Sequence, residues 1–188
     1  MNKSLVAQGD LLNQLNPNDY DIAAIQGPYL DTNHNSCATH HWYKIYPKEH
    51  YITLDHTRSI ILVNRWIATN AWVQVDLGSS DLTTVSVNTG RGRMLLINIY
   101  NDNEQQWGLG QTAQFCWERV QDAWLSDPTE HMVLLGNFNL HHLLLDKEHN
   151  MHLFTRSNLE KSQALIDILA EFNLQMVLPK DNPTLQVL

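Results

Sequence analysis

The chain has 188 residues, 43% of them hydrophobic, enough for one domain with a substantial core and too few for two ordinary ones. With 12 Lys and Arg against 20 Asp and Glu, its formal net charge of −8 excludes attraction to nucleic acid by an overall basic field; such binding has to rest on a local patch. No signal peptide follows Met1-Asn2-Lys3-Ser4, no apolar run is long enough to cross a bilayer, and Cys37 and Cys116 make no disulfide framework. A soluble intracellular protein, nuclear or cytoplasmic and not secreted, is therefore expected.

Residues 4–15 predict an amphipathic helix with Leu5, Leu12 and Leu15 on its apolar face and Ala7 and Leu11 beside it, stopped at Asn16-Pro17-Asn18. A short buried strand is predicted over 21–26 and ends at Gly27-Pro28. After a polar loop over 31–41, the aromatic strand formers of 42–46 run to Pro47. Four strands are then predicted, over 59–64, 72–76, 83–88 and 94–100. The first and last are apolar through their centres, as in strands buried on both faces, and the third alternates like a half-exposed one. A helix is predicted over 111–126, with Ala113, Cys116, Val120 and Trp124 at helical spacing. A strand over 132–135 follows. The last helix is predicted from the capping-box spacing of Ser157 and Glu160, with Leu165, Ile168, Leu169 and Phe172 on one face. Asn173 is its left-handed end, leading to an apolar segment over 174–178. This order predicts a layered α/β domain.

One stretch organises the rest. His131-Met132-Val133-Leu134-Leu135-Gly136-Asn137-Phe138-Asn139-Leu140-His141-His142 is an apolar strand broken by Gly136. It delivers Asn137, Asn139, His141 and His142 past its end, where α/β sheets usually carry their chemistry. An Asn-rich turn reads equally well, because Gly and Asn tolerate the left-handed backbone.

Three segments in order carry a resemblance: residues 19–30 (DYDIAAIQGPYL), 96–102 (LINIYND) and 134–142 (LLGNFNLHH). Together they resemble the endonuclease/exonuclease/phosphatase superfamily, above all the endonuclease domain at the front of non-LTR (LINE-type) retrotransposon polyproteins of the kind found in fungal genomes. The resemblance covers essentially the whole chain. It implies a four-layer αββα sandwich, the DNase I-like fold, and hydrolysis of DNA phosphodiester bonds assisted by Mg²⁺ or Mn²⁺, with no small-molecule cofactor and no membrane. It also implies that the chain lacks the family's first strand and C-terminal part, including a closing Ser-Asp-His motif.

Carried over residue by residue, the resemblance implies a depleted site. The family's Gln-Glu-Pro, whose Glu is the main metal ligand, reads Gln26-Gly27-Pro28 here. Its Gly-Asp-Phe-Asn reads Gly136-Asn137-Phe138-Asn139, so the phosphate-side Asn is kept and the Asp beside the attacking water is lost. An amide at Asn137 hydrogen-bonds water but cannot usefully accept a proton. Tyr100, Asn137 and Asn139 remain as candidate catalytic positions, Asn101 and His142 as candidate substrate contacts, and Gly27 as a metal position without its ligand. A degenerate copy with little or no nuclease activity is expected.

Two other readings stay open. One is a non-catalytic remnant, either an inert fold or a weak binder of nucleic acid or protein; a retained nucleic-acid role requires Lys44, Lys48, Arg58, Arg65, Arg91 and Arg93 to gather on one face, helped by base stacking on Trp66 or Trp107. A zinc or nickel site requires His141, His142, Asp146, His149 and His152 to converge.

Overall fold

The computed structural model of the chain describes residues 3–52, 57–101, 118, 121 and 131–177. They fall into two units, Met1–Asn101 with Glu118–Phe138 and Asp102–Trp117 with Asn139–Leu188.

The first unit opens with helix α1, Leu5–Gln14, whose N-cap Ser4 accepts a hydrogen bond from the Ala7 N–H. Leu12 and Leu15 are buried as expected, but Leu5 is half exposed and Gln8 is fully buried. The buried amide is satisfied. It donates to Ser36 Oγ at 2.7 Å and the Cys37 carbonyl at 2.8 Å, and accepts from the Tyr29 N–H at 2.8 Å. A helix face is thus set partly by hydrogen bonding, which hydropathy does not register.

Strands β1 (Ile22–Gln26), β2 (Trp42–Ile45) and β3 (Ser59–Asn64) form an antiparallel sheet in the order β1-β3-β2. Strands β4 (Trp72–Val75), β5 (Leu82–Thr89), β6 (Gly92–Tyr100) and β7 (His131–Asn137) form a second sheet in that order, antiparallel except for the parallel β6–β7 pair. β3 is buried along its whole length because its two sides face different layers. Ile60 and Leu62 pack with Leu12, Leu15, Ile25, Trp42 and Tyr46 under α1, and Ile61 and Val63 pack with Ile45, Val85, Val87 and Leu96 between the sheets. Each such fully buried side chain contributes about 1.5–3 kcal/mol. The unit is therefore layered α1, first sheet, second sheet.

Several expectations are corrected. β5 is not half exposed: it is buried from Leu82 to Val87. Its alternation separates two covered faces, one with Val85 and Val87 and one with Thr84 and Ser86, and small hydroxyl side chains fit into a packed layer. Gly136 does not break its strand; β7 runs through it to Asn137, with Gly136 opposite Ile99 and Asn137 opposite Tyr100. Of the helix expected over 111–126, Glu118 and Gln121 are described and both are helical, while the rest of it, with Trp107, Trp117 and Trp124, lies outside the described residues. A parallel pair needs a crossover of a dozen or more residues, and the β6–β7 connection is long enough to supply it.

The second unit holds helix α2, Arg156–Glu171. Its N-cap is Thr155, not Ser157: the Thr155 hydroxyl accepts the Asn158 N–H at 3.2 Å, and Glu160 pairs with Arg156 at 2.8 Å. Leu165 and Ile168 are buried as expected, and so is Ser162 one turn before Leu165. Asn173 takes the left-handed conformation at φ 50°. Residues 174–177 form no strand, and Val177 is exposed. Among the described residues no helix is long and apolar enough to cross a membrane.

Candidate functional site

In the first unit, the ends of β1, β6 and β7 and the starts of β3 and β5 gather at one end of the two sheets. Polar side chains meet there inside an apolar sandwich. Asn98 is fully buried and donates from Nδ2 to the carbonyls of Ile25 (3.0 Å) and Ile60 (2.9 Å), while its Oδ1 accepts from Gln26 Nε2 at 2.6 Å. Ser59 and Thr83 join the sheets a second time: their hydroxyls lie 2.7 Å apart, and Thr83 donates to the Ser59 carbonyl at 2.8 Å. Buried polar groups that satisfy each other across two sheets fix one relative placement, because any slip leaves them unpaired.

The site positions hang on this frame. Gly27 directly follows β1 at φ 58°, with its N–H on the Arg58 carbonyl at 2.7 Å and its own carbonyl accepting from the Lys3 N–H at 2.9 Å. Tyr100 ends β6, its N–H on the Asp81 carbonyl at 2.9 Å. Asn137, exposed, ends β7 beside it. Asn101 joins the two strand ends, its N–H donating to the Asn137 carbonyl at 2.9 Å and its Nδ2 to the Phe138 carbonyl at 2.6 Å. Gly27, Tyr100, Asn101 and Asn137 thus belong to one end of this unit.

Two charged side chains among the described residues at this end are Arg58 and Asp81. They form a bidentate pair, Nε to Oδ1 at 2.6 Å and Nη2 to Oδ2 at 2.8 Å, with side chains 14% and 6% exposed. The guanidinium carbon also stands 5.6 Å from the centre of the Tyr100 ring. In the sequence Arg58 stands out only as a candidate surface cation, and nothing in the hydrophobic pattern singles out Asp81, Gln26 or Asn98. The signal available was polarity inside otherwise apolar strands, next to positions 27 and 100.

Among the described residues, this donor set does not fit a hard divalent cation. Such ions prefer carboxylate oxygens, position 27 has no side chain, position 137 carries an amide, and the Asp81 carboxylate is bound to Arg58.

In the second unit, Asn139 takes a left-handed conformation at φ 46°. The His142 N–H donates to Asp146 Oδ2 at 3.0 Å, and His142 Nδ1 accepts the Leu144 N–H at 3.1 Å, so this histidine caps its own loop. His141 Nδ1 is 3.5 Å from the same Asp146 oxygen. Among the described residues no group of three or more His, Cys, Asp or Glu comes together to hold a metal. The zinc or nickel reading over His141, His142, Asp146, His149 and His152 is therefore corrected: Asp146 is used in loop hydrogen bonding. Four of the cations named for a basic face have partners of their own. Lys44 donates to the Ser36 carbonyl, Lys48 pairs with Asp76, Arg58 with Asp81, and Arg65 lies over the Tyr43 ring. Trp66 is 79% exposed, and Trp107 lies outside the described residues.

Two sheets of this connectivity, with α1 packed outside the first, define the mixed α/β architecture of the DNase I-like fold. The comparison that shows it is with the solved endonuclease domain of TRAS1, a telomere-specific non-LTR retrotransposon: the TM-score is 0.72 over 97% of this chain and 74% of that one, at 15% sequence identity. No family model matches the sequence. No curated protein matches it either.

Proposed function

We propose that this chain is a retrotransposon-type DNA endonuclease domain, built for metal-dependent phosphodiester hydrolysis, in which the hydrolytic step is impaired. One observation carries the reading: Gly27, Tyr100, Asn101 and Asn137 come together at one end of the sandwich, and the carboxylate in their hydrogen-bonded frame, Asp81, is bound to Arg58. The similar solved structure is an endonuclease domain, and Tyr100 and Asn139 are the phosphate-side positions that the sequence resemblance retains. Mg²⁺ or Mn²⁺ would be the metal and DNA the partner. Asn101 and His142 are the proposed substrate contacts.

Loss of one well-placed acid or base commonly lowers a rate by about 10²–10⁴. Losses among groups that act as a unit do not add, so the metal position and the water-side position together define one silenced step. What remains is a neutral amide and phenol surface that hydrogen-bonds phosphate without activating water.

The test is nicking of supercoiled plasmid in Mg²⁺ or Mn²⁺. The chain is compared with Tyr100→Phe/Asn139→Ala as a contamination control and Gly27→Glu/Asn137→Asp as the restored form. We expect no nicking above the control by the chain and measurable nicking by the restored form. Nicking by the chain that the control lacks overturns the impairment. Silence from the restored form shows that these two positions are not what holds the step back.

A further inference from the structure

We propose that Arg58 is a positioning residue that acts through Tyr100, holding the phenol hydroxyl where a phosphodiester oxygen meets it; this rests on the nucleic-acid reading above. The geometry is a clamp with two jaws. Arg58 immediately precedes β3 of the first sheet and Asp81 immediately precedes β5 of the second. The Arg58 N–H donates to the Ser80 carbonyl at 3.2 Å, so the two segments are joined through their backbones as well as by the side-chain pair. The Arg58 carbonyl then holds the N–H of Gly27, and the Asp81 carbonyl holds the N–H of Tyr100. One ion pair therefore sets the separation between the two site positions, one from each sheet.

The guanidinium does a second job. At 5.6 Å from the ring centre it lies within the range of a cation–π contact, and its planar fork is fixed by Asp81. The ring is thereby restrained on one face. The Tyr100 hydroxyl has no hydrogen-bond partner among the described residues, although the residue is half-buried, which leaves it open to a ligand oxygen. Lysine keeps the charge at this position but loses the bidentate fork and the flat stacking surface. It should therefore loosen the ring without removing a cation.

A double-mutant cycle in DNA binding separates this role from a merely structural one. The probe is a short fluorescein-labelled DNA duplex, read by anisotropy without divalent metal, with the full chain and its variants Arg58→Lys, Tyr100→Phe and the combination. We expect Tyr100→Phe to weaken binding, Arg58→Lys to weaken it by about 3- to 10-fold, and Arg58→Lys to have less than about a 2-fold effect once Tyr100 is Phe, since coupled neighbours are non-additive on this scale. Equal effects of Arg58→Lys in both backgrounds overturn the positioning role and leave the DNA reading standing. No effect of Tyr100→Phe overturns both.

The paired replacement Arg58→Met/Asp81→Leu avoids stranding a buried charge and guards against a misfolded single variant. It should weaken binding as Arg58→Lys does and leave the slope of log K against log salt unchanged. A slope reduced by about one makes Arg58 a direct phosphate ligand and overturns the proposal.

Discussion

Gly136 is the position where a single methyl group has the clearest consequence. Its φ is +137°, a conformation that residues with a side chain rarely adopt, and it lies directly opposite Ile99 in the parallel β6–β7 pair. A Cβ added there would stand 2.0 Å from the Ile99 carbonyl oxygen and 2.8 Å from the Ile99 carbon and nitrogen. All three atoms are backbone, so no rotamer change relieves the clash; β6 or β7 has to move. A side chain forced into such a backbone region costs about 1–3 kcal/mol, and overpacking adds about 1–3 kcal/mol. Gly136→Ala is therefore expected to destabilise by about 2–6 kcal/mol, which for a chain of this size lowers Tm by roughly 5–20 °C. Gly9→Ala is the matched control. Gly9 lies inside α1, its added Cβ meets nothing within 4 Å, and the change should stabilise by about 0.5–1 kcal/mol. Urea unfolding followed by tryptophan fluorescence measures both. A Gly136→Ala midpoint equal to that of the parent would refute the claim that β7 runs unbroken through this residue.

Gln8→Leu keeps the volume of a fully buried side chain but strands the Ser36 hydroxyl, the Cys37 carbonyl and the Tyr29 N–H; urea unfolding should show a loss of about 1–3 kcal/mol, where hydropathy alone predicts a gain. His50 is buried, shares a 2.7 Å hydrogen bond with Thr57 and stacks on Tyr46 at 4.2 Å. Burial, and to a lesser extent the charge of His34, hold its pKa below the ordinary 6.5. The unfolded chain then takes up this proton first. The contribution is fully present above pH ~6.5 and is lost as pH falls from there through the lowered folded value. His50→Phe keeps the stacked ring and should flatten the dependence of the urea midpoint on pH in that window; an unchanged slope assigns it to other histidines.

Legibility followed the hydrophobic pattern. β3 and β6 were readable because a run such as Ile60-Ile61-Leu62-Val63 has no other place in a layered protein than between two covers. The resemblance in sequence also pointed to the fold that the structural comparison bears out. One group of differences has a common cause, which is that a polar side chain need not be exposed. Gln8, Thr84, Ser86 and Asn98 are polar and buried, and each is placed by tertiary partners or tertiary cover that a linear pattern does not contain. The start of α2 went astray for a related reason: Thr155 and Ser157 are both competent caps, and the choice between them lies in backbone geometry. At the candidate site, positions 27, 100 and 137 stand out in the sequence only through the resemblance. The Arg58–Asp81 pair does not stand out, because it joins residues far apart in sequence that hydrophobic spacing does not relate.

In the proposed reading, the frame and the family's two carboxylate positions sit under opposite physical pressures. Removing one partner of a buried hydrogen bond such as Gln26–Asn98 costs about 1–3 kcal/mol, and stranding one member of a buried ion pair such as Arg58–Asp81 costs about 3–5 kcal/mol. Folding alone therefore opposes change at those residues. Position 27 has no side chain to carry such a load. Carboxylates placed at positions 27 and 137 would add like charges at one end of the sandwich, and a residue with a side chain at position 27 would meet φ 58°, a left-handed backbone that costs about 1–2 kcal/mol. Catalytic carboxylates here would be a burden on the fold until a cation offsets their charge. The restored form Gly27→Glu/Asn137→Asp should accordingly melt below the parent in EDTA and recover when Mn²⁺ is added, because a ligand that binds only the folded state stabilises it by mass action. The parent should not respond to Mn²⁺. A restored form at least as stable as the parent in EDTA would mean that the acids were never costly here, and that stability played no part in their replacement.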